Sequence, residues 1–309
     1  MIRARRSREP IDATRAGDQL RGVRCMPRSI VATRLLEIAR APVSVGIAVF
    51  WLTLCLGLVV LSPLLPLPDQ GAIDLMARLQ PPLGWGGSFG HPLGTDDLGR
   101  DILARLISSM RVSLVLALGA TIMSALIGTS LGIAAAHFGG WFDQVVVGAV
   151  DAQASIPFII VTLTLTAFFG TNLLLFLLIL SIFGWERFAR LSRAMTLAAQ
   201  GRGYVLAMQT LGFNSSRIYL RHVLPNIASA LLVTATINVP EVILLETSLS
   251  FLGLGVQPPM TSLGNMLGFG RNYLLTGWWI AVVPGIAIFF CTLAVSVIGD
   301  WVRMLISRA

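Results

Sequence analysis

The chain has 309 residues, 55% of them hydrophobic and only 12% charged, with a mean hydropathy of +0.79. A soluble domain carries about 25% charged residues, so the composition excludes an ordinary water-soluble globule and points to lipid as the solvent. The net charge is +8 and all 23 basic residues are Arg; because they flank apolar runs, they read as determinants of membrane topology and not as a nucleic-acid surface.

In chain order, residues 1–42 form an Arg-rich polar tail with ten Arg. Glu9, Asp12 and Asp18 within it argue against an organellar transit peptide, and its polarity leaves little to pack. A spanning helix needs about 20 apolar residues. The runs 43–61, 112–136, 145–168, 173–189, 227–245 and 278–298 predict an all-α chain with six spans. Pro63, Pro66 and Pro68 follow the first run in place of a small-x-small cleavage site, so it reads as an uncleaved anchor. Gly170-Thr171-Asn172 supplies a tight turn between the third and fourth spans. This scheme puts 18 Arg on the side of both termini and five on the other. Both termini are therefore expected in the cytoplasm.

Three segments are not spans. The outer one runs from Pro66 to Met110. Thr95 can cap a helix there, with Asp96 and Asp97 in its first turn. Leu98, Ile102 and Leu106 then form an apolar stripe, leaving Arg100 and Arg105 off it. The spacing predicts an amphipathic helix lying on the outer face, either structural or a docking surface for an external binding protein. The inner segment covers about 190–226. Tyr204 to Leu211 reads as a short helix that Gly212 ends in the left-handed conformation. Asn214 or Ser215 caps a second helix, Ser216 to Val223, and Pro225 stops it before the fifth span. The product is a knob without a catalytic group, suited to fit a groove in a partner and pass on rigid-body motion. The third segment, Leu249 to Pro259, is apolar yet broken by Gly253, Gly255 and Pro258-Pro259. Such backbone cannot face lipid with its amides unpaired, so it lies against protein or water.

These residues carry a resemblance. The chain is similar to the C-type permease subunits of dipeptide, oligopeptide and nickel ABC importers. The matching stretches are His91 to Arg100 (HPLGTDDLGR), Gly139-Gly140-Trp141-Phe142-Asp143, Leu249 to Pro259 (LSFLGLGVQPP) and Gly299-Asp300, and only the first forty or so residues lie outside it. The resemblance implies a type I ABC importer permease fold in a bacterial inner membrane. It implies a second permease as heterodimer partner, two ATP-binding subunits and an external substrate-binding protein. It also implies a coupling motif of Glu-Ala-Ala, three residues, Gly, nine residues and hydrophobic-x-Leu-Pro. Here Ala207, Gly212, Leu224 and Pro225 match, and Arg217 lies between them. Leu206 replaces the Glu, Met208 the second Ala, and His222 holds the hydrophobic position. Met304 stands where the family continues with Asp.

The resulting division is a tail over 1–42, a first span and external loop over 43–110, a permease core over 111–300 and a second tail over 301–309. The expected function is import of di- or oligopeptides by alternating access, with nickel or another small solute as the alternative cargo. Glu241 and Glu246 are the candidate residues of the translocation path. Glu241 follows Pro240 in mid-span, where the family has small apolar residues, and is expected to face the channel. Glu246 either meets the amino end of a peptide or accepts amides of the broken segment. Asp151 near the start of the third span is expected to be satisfied by water or by a partner such as Arg187. Cys25, Cys55 and Cys291 lie far apart and read as packing residues.

No catalytic or metal-binding residues are expected. His91, His137 and His222 sit in separate loops, and a chain without Lys has no Walker-type site. The chain is thus read as no enzyme and as binding no cofactor, with ATP used by partner subunits. An intramembrane enzyme would need paired acids or a nucleophile with its base, and a membrane scaffold has no need of the broken 249–259 backbone.

Overall fold

The structure, a computed structural model, describes residues 42–62, 64, 68–201, 203, 208 and 210–307. The chain divides into residues 1–43 and 44–309, and everything below concerns the second unit. Its elements are α-helices joined by turns and by one long connection between Leu61 and Ile102 that contains the 3-10 turns Leu75–Ala77 and Leu83–Trp85. The helices are α1 (Val43–Leu61), α2 (Ile102–Phe138), α3 (Gly140–Ser155), α4 (Phe158–Phe169), α5 (Leu173–Gln200), α6 (Ser215–Ile218), α7 (Leu224–Phe251), α8 (Leu263–Gly270) and α9 (Trp279–Ser307). Among the described residues the only extended pairing is an isolated bridge between Thr95 and Asp101.

Four helical stretches are long and apolar enough to cross a membrane: α1, α2, the continuous run Ser215–Phe251 and α9. The pair α3 and α4 makes a fifth if counted as one span, bent by 95°. The expected single span 145–168 is thus broken. Pro157 explains the break, because a residue before proline is pushed out of the helical region, and Ile156 is extended with φ −99° and ψ 127°. The expected fourth span, 173–189, lies in the first part of α5, a helix of 28 residues that continues through Arg187, Arg190 and Arg193 to Gln200.

The apolar core joins α1, α2, α5, α7, α8 and α9 through buried residues such as Leu116, Leu180, Ile243, Leu249, Leu263 and Ile288. Cys55 of α1 and Cys291 of α9 are both buried in it, and their thiols contact each other as free cysteines. Sequence distance hid that neighbourhood. The most extensive helix contact is between α2 and α5. A Cβ on Gly128 would come within 2.2 Å of the Trp185 carbonyl oxygen, and one on Gly132 within 2.0 Å of Ser192 Oγ. Small residues four apart let two membrane helices approach backbone to backbone.

The outer amphipathic helix does not form as expected. Gly99 adopts a left-handed φ of 73°, which interrupts any helix begun at Thr95. The helix starts at Ile102 instead, capped by Asp101, whose carboxylate accepts the Ala104 N–H at 2.8 Å. It then runs without a break into the second span. Pro225 likewise does not stop a helix. It occupies the first turn of α7, and a π turn over Tyr219–Val223 links α6 to α7. The Leu224 N–H reaches the Tyr219 carbonyl five residues back. A proline cannot close the ordinary i→i−4 bond, and the wider π turn accommodates that loss.

Candidate functional site

The inner knob is built on a small cluster of its own. Ile218, Tyr219, Val223 and Ile227 bury together with Ala199 of α5, and Ile133 of α2, Met195, Met208 and Leu224 pack against them. Polar bonds fasten it further. The Tyr219 hydroxyl lies 3.0 Å from His137 Nδ1 and accepts from Gln200 Nε2 at 2.9 Å, and the same amide donates to the Ala136 carbonyl at 3.1 Å. The knob is therefore bolted to the C-terminal ends of both α2 and α5. Gly212 takes the expected left-handed conformation, φ 75°. The Phe213 N–H returns to the Met208 carbonyl at 3.1 Å, a bond that closes a helix end. Asn214 caps α6 by accepting the Ser216 N–H at 3.2 Å. Leu211, Phe213 and Leu220 are exposed, with Leu211 at 74%. Arg217 and Pro225 are exposed as well, and Leu224 is half-buried. Ala207 and the neighbouring Leu206 lie outside the described residues.

Three Arg of α5 face acids on other helices. Arg187 pairs with Glu241 of α7, Arg190 with Asp151 of α3 at 3.3 Å, and Arg193 through two nitrogens with both oxygens of Asp143. The expected partner of Asp151 is thus corrected: Arg187 is taken by Glu241, and the next Arg along α5 serves Asp151. Spacing within one helix shows that these cations share a side, but the identity of each acid depends on how α3 and α7 cross α5.

Glu246 is fully buried between α2, α7 and α8. Its carboxylate accepts from Ser113 Oγ at 3.0 Å and Ser250 Oγ at 2.7 Å. Hydroxyls, and not the backbone amides expected, satisfy it. Ser113 Oγ in turn accepts the Leu263 N–H at 3.1 Å, and Ser262 caps α8 by accepting the Asn265 N–H at 3.2 Å. The broken segment, which begins at Leu252 after α7 ends, is secured by this serine cluster. Glu241 sits differently. It lines an open groove of about 430 Å³ between α7 and α9, together with Thr236, Pro240, Thr292, Ser296 and Asp300.

At the opposite end of α2, the stretch His91 to Asp101 is a polar clamp. Asp96 is fully buried, and its carboxylate accepts the N–H groups of Leu98 and Arg100 at 2.9 Å each, Arg100 Nε at 2.7 Å, and the Arg105 guanidinium. Thr95 Oγ1 donates to the Ala77 carbonyl and accepts the Gln80 N–H, so it ties the loop instead of capping a helix. Trp279 Nε1 donates to the Thr95 carbonyl at 3.0 Å, and the Tyr273 hydroxyl donates to Asp97 at 2.9 Å. The clamp thereby joins the outer ends of α2 and α9. Sequence reasoning missed the roles of Tyr219, Gly128, Gly132 and Asp143. The Gly-x-x-x-Gly spacing in GTSLG was a readable signal; the others depend on contacts between distant segments.

Comparison with known proteins agrees with this architecture. A family model described as binding-protein-dependent transport system inner membrane component matches residues 128–309, more than half of the chain. A putative peptide transport system permease protein of Brucella suis is 37% identical over 244 residues, which is 79% of this chain and 80% of that one. A probable D,D-dipeptide transport system permease protein of Escherichia coli is 34% identical over 86% of this chain and 87% of its own. The oligopeptide transport system permease protein OppC of Mycobacterium bovis is 33% identical over 89% of this chain and 92% of its own. Among solved structures, a chain of the MetNI methionine ABC transporter in inward-facing conformations superposes with a TM-score of 0.54 at 18% identity, covering 66% of this chain and 97% of that chain. That last likeness is one of fold. The chain belongs to the family of binding-protein-dependent transport system inner membrane components.

Proposed function

We propose that the chain is one permease of a heterodimeric, ATP-driven importer of di- or oligopeptides in a bacterial inner membrane. The observation that carries the reading is the knob at 212–225. It presents an exposed apolar tip, yet its base is fixed by packing and hydrogen bonds to α2 and α5. A surface that is rigid behind and apolar in front suits a seat in a moving partner. In this reading two ATP-binding subunits close on ATP and push the knob. The helices then rock between inward-open and outward-open arrangements, and a loaded external binding protein delivers cargo. This chain performs no bond chemistry and binds no cofactor; ATP belongs to the partner subunits. Six spans, with α5 crossing the bilayer beside the bent α3–α4 pair, put both termini in the cytoplasm. The division at residues 42, 110 and 300 separates tail, outer loop and core. Peptide as cargo is supported by the relatives at 33 to 37% identity.

The test is reconstitution of the four-subunit complex in liposomes with its binding protein. Labelled tripeptide should accumulate only with ATP. A cysteine at Leu211 should crosslink to an ATP-binding subunit, with yields that differ between nucleotide-free and ATP-bound states. Accumulation without ATP, or a crosslink to no nucleotide-binding chain, sinks the proposal.

A further inference from the structure

Glu241 and Arg187 form an ion pair near the middle of two long helices. Glu241 stands about 15 Å from the outer end of α7 and about 25 Å from its inner end, at ~1.5 Å per residue. Arg187 is about 20 Å from each end of α5 by the same rise. Glu241 lies within the apolar run 227–245 and therefore faces protein or water, because hydrocarbon does not tolerate a carboxylate, whereas Arg187 stands two residues from the end of the run 173–189 and reaches it from there. This pair is not sealed in the core: each side chain is 38% exposed, and Glu241 opens onto the groove between α7 and α9. The groove continues past Thr236, Thr292 and Ser296 to Asp300, which has no ion-pair partner among the described residues. Its wall thus carries two carboxylates and three hydroxyls among apolar side chains that include Leu244 and Phe289, and the Arg187 guanidinium meets it through Glu241. While paired with Glu241, that guanidinium also lies over the Phe183 ring, its carbon 5.9 Å from the ring centre.

We infer that Glu241 is the residue of this wall that receives the primary ammonium of a passing peptide, and that Arg187 is its resident counter-ion, displaced when the ammonium arrives. The inference rests on the importer reading above and adds the group that is recognised. An ammonium presents three donors, so it can engage the Glu241 carboxylate and nearby hydroxyls together. The freed guanidinium keeps its contact with the face of Phe183, a favourable place for a cation. Between cargoes Arg187 neutralises Glu241 and spares the groove an uncompensated charge. Glu246, buried among serines, has no such access.

The reconstituted complex tests this with four forms of the chain and one free-amino tripeptide. Glu241→Gln should slow import at least tenfold. Arg187→Gln should still import and should show a lower KM for the tripeptide than the parent, because the ammonium no longer has to displace a resident cation. The exchanged pair, Arg187→Glu with Glu241→Arg, keeps an ion pair at the same place and should still lose at least tenfold. Recovery of the ATP-binding subunits with each variant establishes assembly, and the exchanged pair covers the case in which a single unpaired charge prevents it. Equal losses in both single variants with full activity in the exchanged pair would show a purely structural bridge and overturn the inference. Unchanged import by Glu241→Gln would overturn it as well. A parent complex that hydrolyses ATP with its binding protein but imports no peptide would instead overturn the importer reading.

Discussion

Asp96 shows how much one side chain organises. It is fully buried, accepts two backbone N–H groups and meets two guanidiniums. The sum is favourable only while every partner is present, since removing one member of a buried pair leaves an uncompensated charge. Asp96→Asn keeps the shape but removes the charge that Arg105, 10% exposed at its side chain, depends on. The expected loss is about 3 to 5 kcal/mol of stability, read as a clear fall in the melting temperature of the solubilised complex. A melting curve equal to the parent's would show that the clamp does not hold the outer face together. Close by, the Tyr273 hydroxyl donates to Asp97, and this hydrogen bond, with burial next, raises the Tyr273 pKa above its usual value. A raised pKa means that the bond contributes fully below the unfolded tyrosine pKa, about 10, and is lost as pH rises through the higher folded value. Tyr273→Phe should therefore lose stability above pH 10 less steeply than the parent, while lying below it near neutrality. Parallel pH–stability curves for the two proteins would refute the link.

At the scale of elements, the contact between α2 and α5 depends on the absence of side chains. Gly132 approaches Ser192 and the Ala189 carbonyl so closely that a Cβ would meet them at 2.0 and 2.4 Å. The Ser192 hydroxyl can turn away, but the Ala189 carbonyl and the Arg193 nitrogen at 3.0 Å are backbone atoms of the neighbouring helix, so relief requires the helices to part. Gly132→Val should cost at least the ~1 to 3 kcal/mol usual for overpacking, and assembly with the ATP-binding subunits should fall with it, because the knob is fastened to both helices. Full recovery of the assembled complex would show that α2 and α5 can separate without harm. The existence of most helices was legible in the sequence because a long uncharged run has few other stable forms in lipid. Val43–Leu61 matched to the residue. What failed were the starts and joins. Thr95 and Asp101 are both good caps, and only the left-handed Gly99 between them decides for the second. Pro225 reads as a stop because a π turn leaves no mark in the spacing of apolar residues. Pro157, by contrast, was a visible signal for the bend between α3 and α4. In the site, Gly212 was legible from local turn chemistry alone. The partners of Arg187, Arg190 and Glu246 were not, because each lies on a helix far away in the chain.

For the whole molecule, the decisive feature is continuity. From Ser215 to Phe251 the chain is one helical run of 37 residues, about 55 Å long at ~1.5 Å per residue. Its N-terminal end is the knob, Glu241 stands farther along it, and its C-terminal end carries the Glu246 serine cluster that holds the broken segment. Under the proposed function a displacement at the knob reaches the groove and the broken segment through a single rod, with the π turn and Pro240 as its irregular places. This works only if knob and clamp lie on opposite sides of the bilayer. In a chain whose Cys25, Cys55 and Cys291 are replaced by Ser, a cysteine at the exposed Phe89 should react with a membrane-impermeant maleimide in intact spheroplasts. A cysteine at the exposed Leu211 should react only in inverted vesicles. Both sites are water-accessible in the isolated chain, so a difference in labelling reports sidedness and not burial. Labelling of both from the same side would separate the knob from the outer clamp's role and leave the rod with nothing to connect.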